Sequence, residues 1–303
     1  MIAALKKSVL PICLAVVSMS PALLGDVNDD LKHSILLTDA QTIESIRTGA
    51  LEGDPKAELQ LGTAYQEGKL IAKDLGEAAK WFHLAAGKGN ADAQYRLGAM
   101  YYQGEGVAQD FPIALDWYRK AAEQGLADAQ YALAEMHSVP LGTKQDLAAA
   151  VEWYRKAADQ GHAQAQMDFA WMVSQGRGVS KDDVEAAKWY RKAADQGVAE
   201  AQIRLGQLYF GGVGVEKDLA ESFNWFKKAA DQGDADAESG VAWMYLRGNG
   251  VEKDVVRAHA WCSIAAEHGS EGAMGMIESM EKELTPEQLE ESKKLKQELL
   301  QNR

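Results

Sequence analysis

Six tryptophans recur along the chain at a constant spacing of 36 residues. They are Trp81, Trp117, Trp153, Trp189, Trp225 and Trp261. A constant period of this length predicts one supersecondary unit that is copied and stacked, because a single copy cannot bury its apolar face without a neighbour. Stacked repeats present long continuous surfaces rather than a deep pocket of converging acids and bases. The sequence therefore favours a protein that binds a macromolecule over an enzyme.

Each unit divides into two amphipathic segments. In the unit 90–125, apolar residues at helical spacing predict a first helix, helix A, within 92–103 and a second, helix B, starting at Asp110. An aspartate precedes every helix B, where its carboxylate can accept hydrogen bonds from free backbone N–H groups, and a glycine closes every helix B, where the chain turns left-handed. The aspartates are Asp74, Asp110, Asp146, Asp182, Asp218 and Asp254, and the glycines are Gly89, Gly125, Gly161, Gly197, Gly233 and Gly269. We interpret the aspartates as helix caps, not as catalytic acids.

The predicted core combines small and large side chains. Two consecutive alanines, such as Ala121 and Ala122, recur in every unit and let neighbouring helices approach closely. A larger side chain there should overpack the core and cost about 1–3 kcal/mol. Each tryptophan ring can bury about 150–250 Å², so we assign all six recurring tryptophans to the structural core of the repeat. Basic pairs near the end of helix B, such as Arg155 and Lys156, are interpreted as solvated charges.

The repeats are predicted to cover residues 54–269 as one elongated domain, with a capping segment on either side. The N-terminal capping segment covers 26–53 and contains a predicted helix. The C-terminal capping helices cover 270–303, where Thr285 and Gln288 form a capping-box pattern at the start of the last helix. The expected fold class is all-α, with six helix-turn-helix repeats and capping helices at both ends.

The first residues have the three-part pattern of a secretory leader. A short basic stretch, an apolar run over 9–19 and small residues before Asp26 predict a signal peptide over 1–25. The apolar run is too short to span a bilayer as a helix, so we expect no stable membrane insertion after leader cleavage. We expect an exported protein, periplasmic or secreted. The two cysteines are Cys13 and Cys262, so loss of the leader leaves one, and no internal disulfide is expected.

The net charge of the chain restricts the class of macromolecule that it can bind. A hydrophobic fraction of 47% allows a sizeable core, and the formal net charge is −13 at pH 7. An acidic surface repels phosphate groups and gains nothing from counterion release. We therefore predict that the chain does not bind nucleic acid.

Catalytic and metal-binding patterns are absent from the sequence. The six histidines lack metal-ligand spacing, and no glycine-rich phosphate loop follows a strand. A Ser-x-x-Lys match at Ser279 and Lys282 has none of the accompanying elements of a serine hydrolase site and is interpreted as chance. We predict no catalytic residue, no metal and no cofactor.

The repeat unit resembles a known family. The segments 93–101 (AQYRLGAMY) and 117–125 (WYRKAAEQG) are similar to the Sel-one-like repeat (SLR) family, which comprises 36-residue relatives of the tetratricopeptide repeat (TPR). The resemblance covers 216 of 303 residues. It implies a right-handed α-solenoid. It also implies a role as an adaptor, for which the family is known in endoplasmic-reticulum quality control, bacterial envelope signalling and bacterial contact with host cells.

The resemblance further implies where a partner binds. In tetratricopeptide repeats helix A lines the concave surface, and the pattern Leu97-Gly98-x-x-Tyr101 carries that register onto this chain. The candidate partner-binding residues are Tyr95, Tyr102, Tyr131, Glu135, Trp171, Glu200, Phe210, Asp236 and Trp243. A groove of aromatic and acidic residues would suit a peptide or helix that carries apolar and basic residues. Alternatively, these rings pack between successive helices and expose only an edge.

The function that we expect is a non-enzymatic protein–protein interaction scaffold or adaptor, acting in the bacterial envelope or outside the cell on a signalling or host-contact partner. A peptidoglycan- or carbohydrate-binding module is an alternative, because aromatic rings also stack on sugars. A further alternative is a cell-wall or β-lactam hydrolase, as in cysteine-rich relatives, although this chain lacks their paired cysteines.

Overall fold

The computed structural model describes residues 41–140 and 144–301. Over these residues the chain forms fifteen α-helices and no strand, which confirms the all-α prediction. The predicted leader 1–25 lies outside the described residues, as do residues 26–40 of the predicted N-terminal cap.

The helices alternate between helix A and helix B of successive repeats. A first helix occupies 41–51 (α1). The six helices A are Pro55–Glu67 (α2), Ala91–Gln103 (α4), Ala127–Ser138 (α6), Ala163–Gln175 (α8), Ala199–Gly211 (α10) and Ala235–Arg247 (α12). The six helices B are Leu75–Gly87 (α3), Phe111–Glu123 (α5), Leu147–Asp159 (α7), Asp183–Asp195 (α9), Leu219–Asp231 (α11) and Val255–Glu267 (α13). Two further helices follow, Glu271–Glu281 (α14) and Pro286–Gln301 (α15). Six such pairs fit an α-solenoid.

The repeating aspartates cap helix B, as the sequence predicts. Asp74 Oδ1 accepts a hydrogen bond from the Glu77 backbone N–H at 2.9 Å. The same cap is made by Asp110, Asp146, Asp182, Asp218 and Asp254. The glycine that closes each helix B is left-handed, with φ between 87° at Gly233 and 95° at Gly269. Glycine adopts this conformation at no steric cost, so the period of the sequence fixes where each helix B begins and ends.

A second glycine, in the loop between helix A and helix B, permits close contact between repeats. A Cβ atom at Gly250 would lie 1.9 Å from the backbone oxygen of Leu219, the first residue of α11 in the preceding repeat. No side chain fits there, and φ at Gly250 is +72°. The loop of one repeat therefore lies directly against the start of helix B in the repeat before it.

The chain divides into two compact units, and each has its own core. Unit 1 comprises residues up to Trp117, and unit 2 runs from Tyr118 to the C-terminus, so the division falls within α5. Within each unit, helix B packs against helix A of its own repeat and against helix A of the next. Phe82 and Leu97 are fully buried in unit 1, as is Trp261 in unit 2.

The recurring tryptophans are buried to different degrees. Trp189, Trp225 and Trp261 are buried, whereas Trp81, Trp117 and Trp153 are half-buried. The basic pairs at the end of helix B are not simply solvated. The ammonium groups of Lys156, Lys192 and Lys228 lie 3.7, 3.4 and 3.7 Å from the ring centroids of Trp153, Trp189 and Trp225, one helical turn away. Each of these lysines therefore makes a cation–π contact with the tryptophan of its own helix.

Buried glutamines join successive repeats. In unit 2 the side-chain amide of Gln166 donates to the Ala158 carbonyl at 3.1 Å and accepts from the side-chain amide of Gln196 at 2.8 Å. The same arrangement occurs at Gln130 with Gln160 and at Gln202 with Gln232. The first and last repeats replace the amide pair with an ionisable pair, Glu58 with Lys88 at 2.6 Å and Glu238 with His268 at 2.9 Å. These contacts give the buried side-chain amides of Gln130, Gln166 and Gln202 hydrogen-bond partners.

The C-terminal helices cover the last repeat. The capping box predicted for α15 is present: the Thr285 backbone N–H donates to Gln288 Oε1 at 3.0 Å, and the Gln288 backbone N–H donates to Thr285 Oγ1 at 3.3 Å. Helix α15 packs against α13, where the buried Ser292 lies 2.9 Å from Nδ1 of the buried His259. A polar contact between two buried side chains therefore lies in the interface between the terminal helix and the repeats.

Candidate functional site

A cavity of about 480 Å³ in unit 2 brings together several of the predicted partner-binding residues. Tyr131 and Glu135 reach it from α6, and Trp171 reaches it from α8. Residues outside the prediction complete the wall, among them Asp168 of α8 and Tyr154 of α7. We call this cavity the acidic pocket. Helix A of the third repeat and helix A of the fourth repeat both contribute to its wall.

Three contacts fix the side chain of Tyr131. Its hydroxyl donates a hydrogen bond to Asp168 Oδ2 at 3.0 Å. Its ring stacks on His162 with a centroid distance of 4.7 Å and an interplanar angle of 18°, and it contacts Tyr154 at 5.7 Å. His162 is fixed in turn, because its Nδ1 accepts from the Ala165 backbone N–H at 3.1 Å. Burial raises the pKa of the Tyr131 phenol, so it keeps its proton and acts as a donor.

Two carboxyl groups line the pocket, and the pKa of each is raised, which favours the protonated form. Burial raises the pKa of Asp168, although hydrogen bonds from Tyr131 and Gln164 oppose the rise. Burial, and next the negative charge of Asp168, raise the pKa of Glu135. Two like charges that share a partly desolvated space destabilise each other, so the pocket favours a positively charged ligand.

Trp171 forms another part of the wall. It is half-buried, and the guanidinium of Arg177 lies 4.9 Å from its ring centroid. Ser174 Oγ donates to the Trp171 carbonyl at 2.8 Å. The ring is therefore neither fully packed between helices nor fully exposed, and one of its faces is occupied by a cation.

Two other predicted residues, Phe210 and Trp243, contact each other. Their ring centroids are 5.5 Å apart at an interplanar angle of 65°, and Trp243 is 37% exposed. Glu200 forms an exposed ion pair with Arg204 at 3.4 Å, and Asp236 is exposed in the first turn of α12. The partly exposed Trp243 ring beside Phe210 offers an apolar surface that suits contact with an apolar side chain.

Tyr95 and Tyr102 belong to unit 1. Tyr95 is half-buried on α4, and Tyr102 is exposed at the end of the same helix. The Tyr102 ring contacts Phe111 at 5.5 Å between centroids. Both side chains thus lie on helix A of the second repeat. The assignment of all nine residues to a partner-binding surface stays a prediction.

Reactive groups are few in the part of the chain that the structure describes. No group of three or more histidine, cysteine, aspartate or glutamate side chains could hold a metal ion among these residues. Cys262 is buried, its thiol donates to the Ala273 carbonyl at 3.1 Å, and burial raises its pKa to about 11. A thiol of this kind stays protonated and is a poor nucleophile. Across residues 41–140 and 144–301, no helix has the length and apolar content to cross a membrane.

The repeat geometry agrees with a comparison against known families. The Sel1 repeat profile matches six consecutive segments, which are 55–90, 91–126, 127–162, 163–198, 199–234 and 235–270. The chain belongs to the Sel1 repeat family. Sel1 repeat proteins generally act as scaffolds for protein–protein interaction and are typically non-catalytic.

Two solved structures extend the comparison. A protective antigen of uropathogenic Escherichia coli strains, described as displaying an SLR fold, is 38% identical with a TM-score of 0.78, and the match covers 84% of this chain and 56% of the antigen. A Sel1 repeat protein from Oxalobacter formigenes is 30% identical with a TM-score of 0.63, and the match covers 76% of this chain and 96% of that protein. This chain thus spans little more than half of the antigen's length. A search of curated proteins found no match.

The Sel1 repeats explain which pocket residues sequence reasoning missed. Asp168 occupies a column of the repeat that holds Arg96 and Arg204 in other repeats, so the charge is reversed at this one position. Arg177 follows the end of α8, at a loop position where the second and fifth repeats carry Glu105 and Val213. A comparison of columns would have marked these departures, whereas a register taken only from the concave positions of helix A does not include them.

Proposed function

We propose that this Sel1 repeat protein is a non-enzymatic scaffold that captures a protein partner on the helix A side of unit 2, in the bacterial envelope or outside the cell. The observation that carries the proposal is the acidic pocket, where Glu135, Asp168 and Trp171 meet. The exposed Trp243, which contacts the half-buried Phe210, adds an apolar surface. Family membership supports a scaffold, and the predicted leader supports export.

The partner that fits this surface is a peptide or helix with apolar and basic residues. Aromatic side chains bury large areas at low entropic cost and are enriched at the energetic centres of interfaces. Carboxylates beside them raise the on-rate for basic partners and disfavour acidic ones. The net charge of −13 adds a long-range electrostatic attraction for basic partners.

Affinity capture from envelope extract tests this proposal. The purified protein and its Trp171→Ala/Trp243→Ala variant are used as baits, and bound proteins are identified by mass spectrometry. A Leu84→Ala/Val184→Ala variant is the matched control, because it truncates two exposed apolar side chains on helices B. We expect a partner that is retained by the native protein and the control and lost by the tryptophan variant. Equal retention by all three baits would contradict the proposal.

A carbohydrate- or peptidoglycan-binding function is the second candidate. The specific observation in its favour is the partly exposed ring of Trp243 beside Phe210, since exposed rings also stack on sugars. Sedimentation with purified peptidoglycan separates the two functions. Co-sedimentation that is lost with Trp243→Ala, together with no captured protein, would favour this second candidate.

A further inference from the structure

We infer that the acidic pocket of unit 2 receives one lysine or arginine side chain of the partner protein. The inference rests on the proposed function, because it names the chemical group that the scaffold recognises. It commits the pocket to a cation on a flexible aliphatic stem and excludes a carboxylate or a neutral sugar as its occupant.

The charges that face the pocket leave a negative excess. Glu135 and Asp168 reach it from successive helices A, and neither carboxylate is paired with a lysine or arginine in the part of the chain that the structure describes. Tyr131 has a single O–H group, which it donates to Asp168 and which neutralises neither charge. Arg177 is the one cation among the described lining residues, and it lies over Trp171. When both carboxyl groups are ionised, one negative charge stays uncompensated.

The shape of the pocket suits the stem of a basic side chain. Its volume of about 480 Å³ lies within the range of about 300–1,000 Å³ that is usual for ligand pockets. Leu147, Met172 and the ring of Tyr154 supply apolar wall, whereas Glu135 and Asp168 supply the polar part. Lysine and arginine bury their methylene groups along apolar surface and direct the charged head to polar partners. The pocket therefore offers both the apolar contacts and the polar partners that such a side chain uses.

The acidic side of the pocket is organised before any ligand arrives. Asp168 is held by the Tyr131 hydroxyl, and Tyr131 is held by its stacking on His162 and its contact with Tyr154. A carboxylate that is already ordered loses little conformational entropy when it binds a cation. A ligand carboxylate would instead meet two negative groups, and repulsion would exclude it despite the presence of Arg177.

Short peptides of defined sequence test this inference directly. The probes are acetylated and amidated nonapeptides of glycine and serine with one central residue, which is lysine, arginine, citrulline, norleucine or glutamate. Binding is followed by NMR of the Trp171 indole resonance, which the Trp171→Phe variant assigns. We expect saturable shifts with the lysine and arginine peptides, and at least a tenfold weaker affinity for both in the Glu135→Gln/Asp168→Asn variant.

The matched control is Glu152→Gln/Asp159→Asn, which removes two exposed carboxylates of α7 outside the pocket and changes the net charge by the same amount. The control should bind the lysine peptide like the native protein. Binding of the citrulline or norleucine peptide with the affinity of the lysine peptide would overturn the inference, as would the absence of any saturable shift. Equal weakening in the control variant would overturn it as well.

The same variant separates this inference from the proposed function. If Glu135→Gln/Asp168→Asn captures the partner from envelope extract as well as the native protein does, the scaffold stands and the lysine or arginine pocket is wrong. If Trp171→Ala/Trp243→Ala also retains the partner, the proposed surface itself is wrong.

Discussion

At the scale of single residues, Asp168 opposes folding while it prepares the pocket for a cation. Burial raises the pKa of its carboxyl group above the ordinary value of 3.8, so the folded chain disfavours the ionised form. A carboxyl group whose pKa is higher in the folded than in the unfolded state destabilises the fold at pH values above both pKa values. Such a shift in a cavity is typical of a functional position.

We therefore expect Asp168→Asn to raise the melting temperature at pH 7 while it weakens binding of the lysine peptide. The gain in stability should shrink as the pH falls through the raised pKa of Asp168, because the native carboxyl group then takes up its proton in the folded state. Thermal unfolding followed by circular dichroism at pH 7 and at lower pH measures the effect, with the exposed Asp159→Asn as control. A melting temperature at pH 7 that falls below that of the native protein would contradict this account.

Some contacts of single residues could be predicted from the sequence, and others could not. The capping aspartates could be identified from their period, because an N-cap is a local interaction between a side chain and the next turn of backbone. The contact between Tyr131 and Asp168 could not be identified, because it joins residues 37 positions apart through the packing of two helices. The reversed charge at Asp168, compared with Arg96 and Arg204, was the available signal.

At the scale of helices, buried glutamines link successive repeats of unit 2. Gln166 is 4% exposed and makes one hydrogen bond to the Ala158 carbonyl and one to Gln196. The loss of its side chain removes two hydrogen bonds from a buried position. We expect Gln166→Ala to lower the free energy of unfolding by about 1–3 kcal/mol. Chemical denaturation measures this change, and the exposed Gln103→Ala should be close to neutral. Equal effects of the two substitutions would show that the buried glutamine contributes nothing specific.

The C-terminal cap should be sensitive to mild acid. Burial lowers the pKa of His259 below its ordinary value of 6.5, and the neighbouring Lys293 and Lys296 act in the same direction, whereas Glu281 opposes them. A histidine whose pKa is lower in the folded state takes up a proton more readily when unfolded, so stability falls as the pH drops below about 6.5. The buried Ser292 against Nδ1 places this loss at the interface between α13 and α15.

Hydrogen exchange of α15 measures the loss of protection in the C-terminal cap. Amide protection of α15 should decrease between pH 7 and about pH 5.5, after correction for the intrinsic exchange rate. The decrease should be absent in His259→Phe, which cannot take up a proton. An identical pH dependence in this variant would rule out His259 as the cause.

The positions of the helices could be predicted from the sequence, whereas most contacts between helices could not. The alternation of helix A and helix B follows from apolar periodicity and caps, which act over a few residues. Simple solvation is the wrong prediction for Lys156, because a spacing of three residues on one helix brings its side chain onto the Trp153 ring. The hydrogen bonds between glutamines of successive repeats were missed because the partners lie 30 residues apart and belong to different helices.

At the scale of the whole molecule, the repeat determines the scaffold, and departures from the repeat determine the candidate site. Caps, alanines and core tryptophans recur in every repeat, as stacking requires. The residues of the acidic pocket and the Phe210–Trp243 pair do not recur as sets. A period in the sequence therefore identifies the family and the fold, whereas the chemistry of the partner depends on side chains that the period does not predict.

Site-specific photo-crosslinking in intact cells tests the central claim, capture of a partner on the helix A side of unit 2, most directly. Trp243→p-benzoylphenylalanine places a photoreactive ring at the proposed surface, and Val184→p-benzoylphenylalanine places the same ring at an exposed position of α9. We expect one discrete protein adduct from position 243, identified by mass spectrometry and diminished by Glu135→Gln/Asp168→Asn. Adducts from position 184 alone, or the same adducts from both positions, would contradict partner capture on this surface.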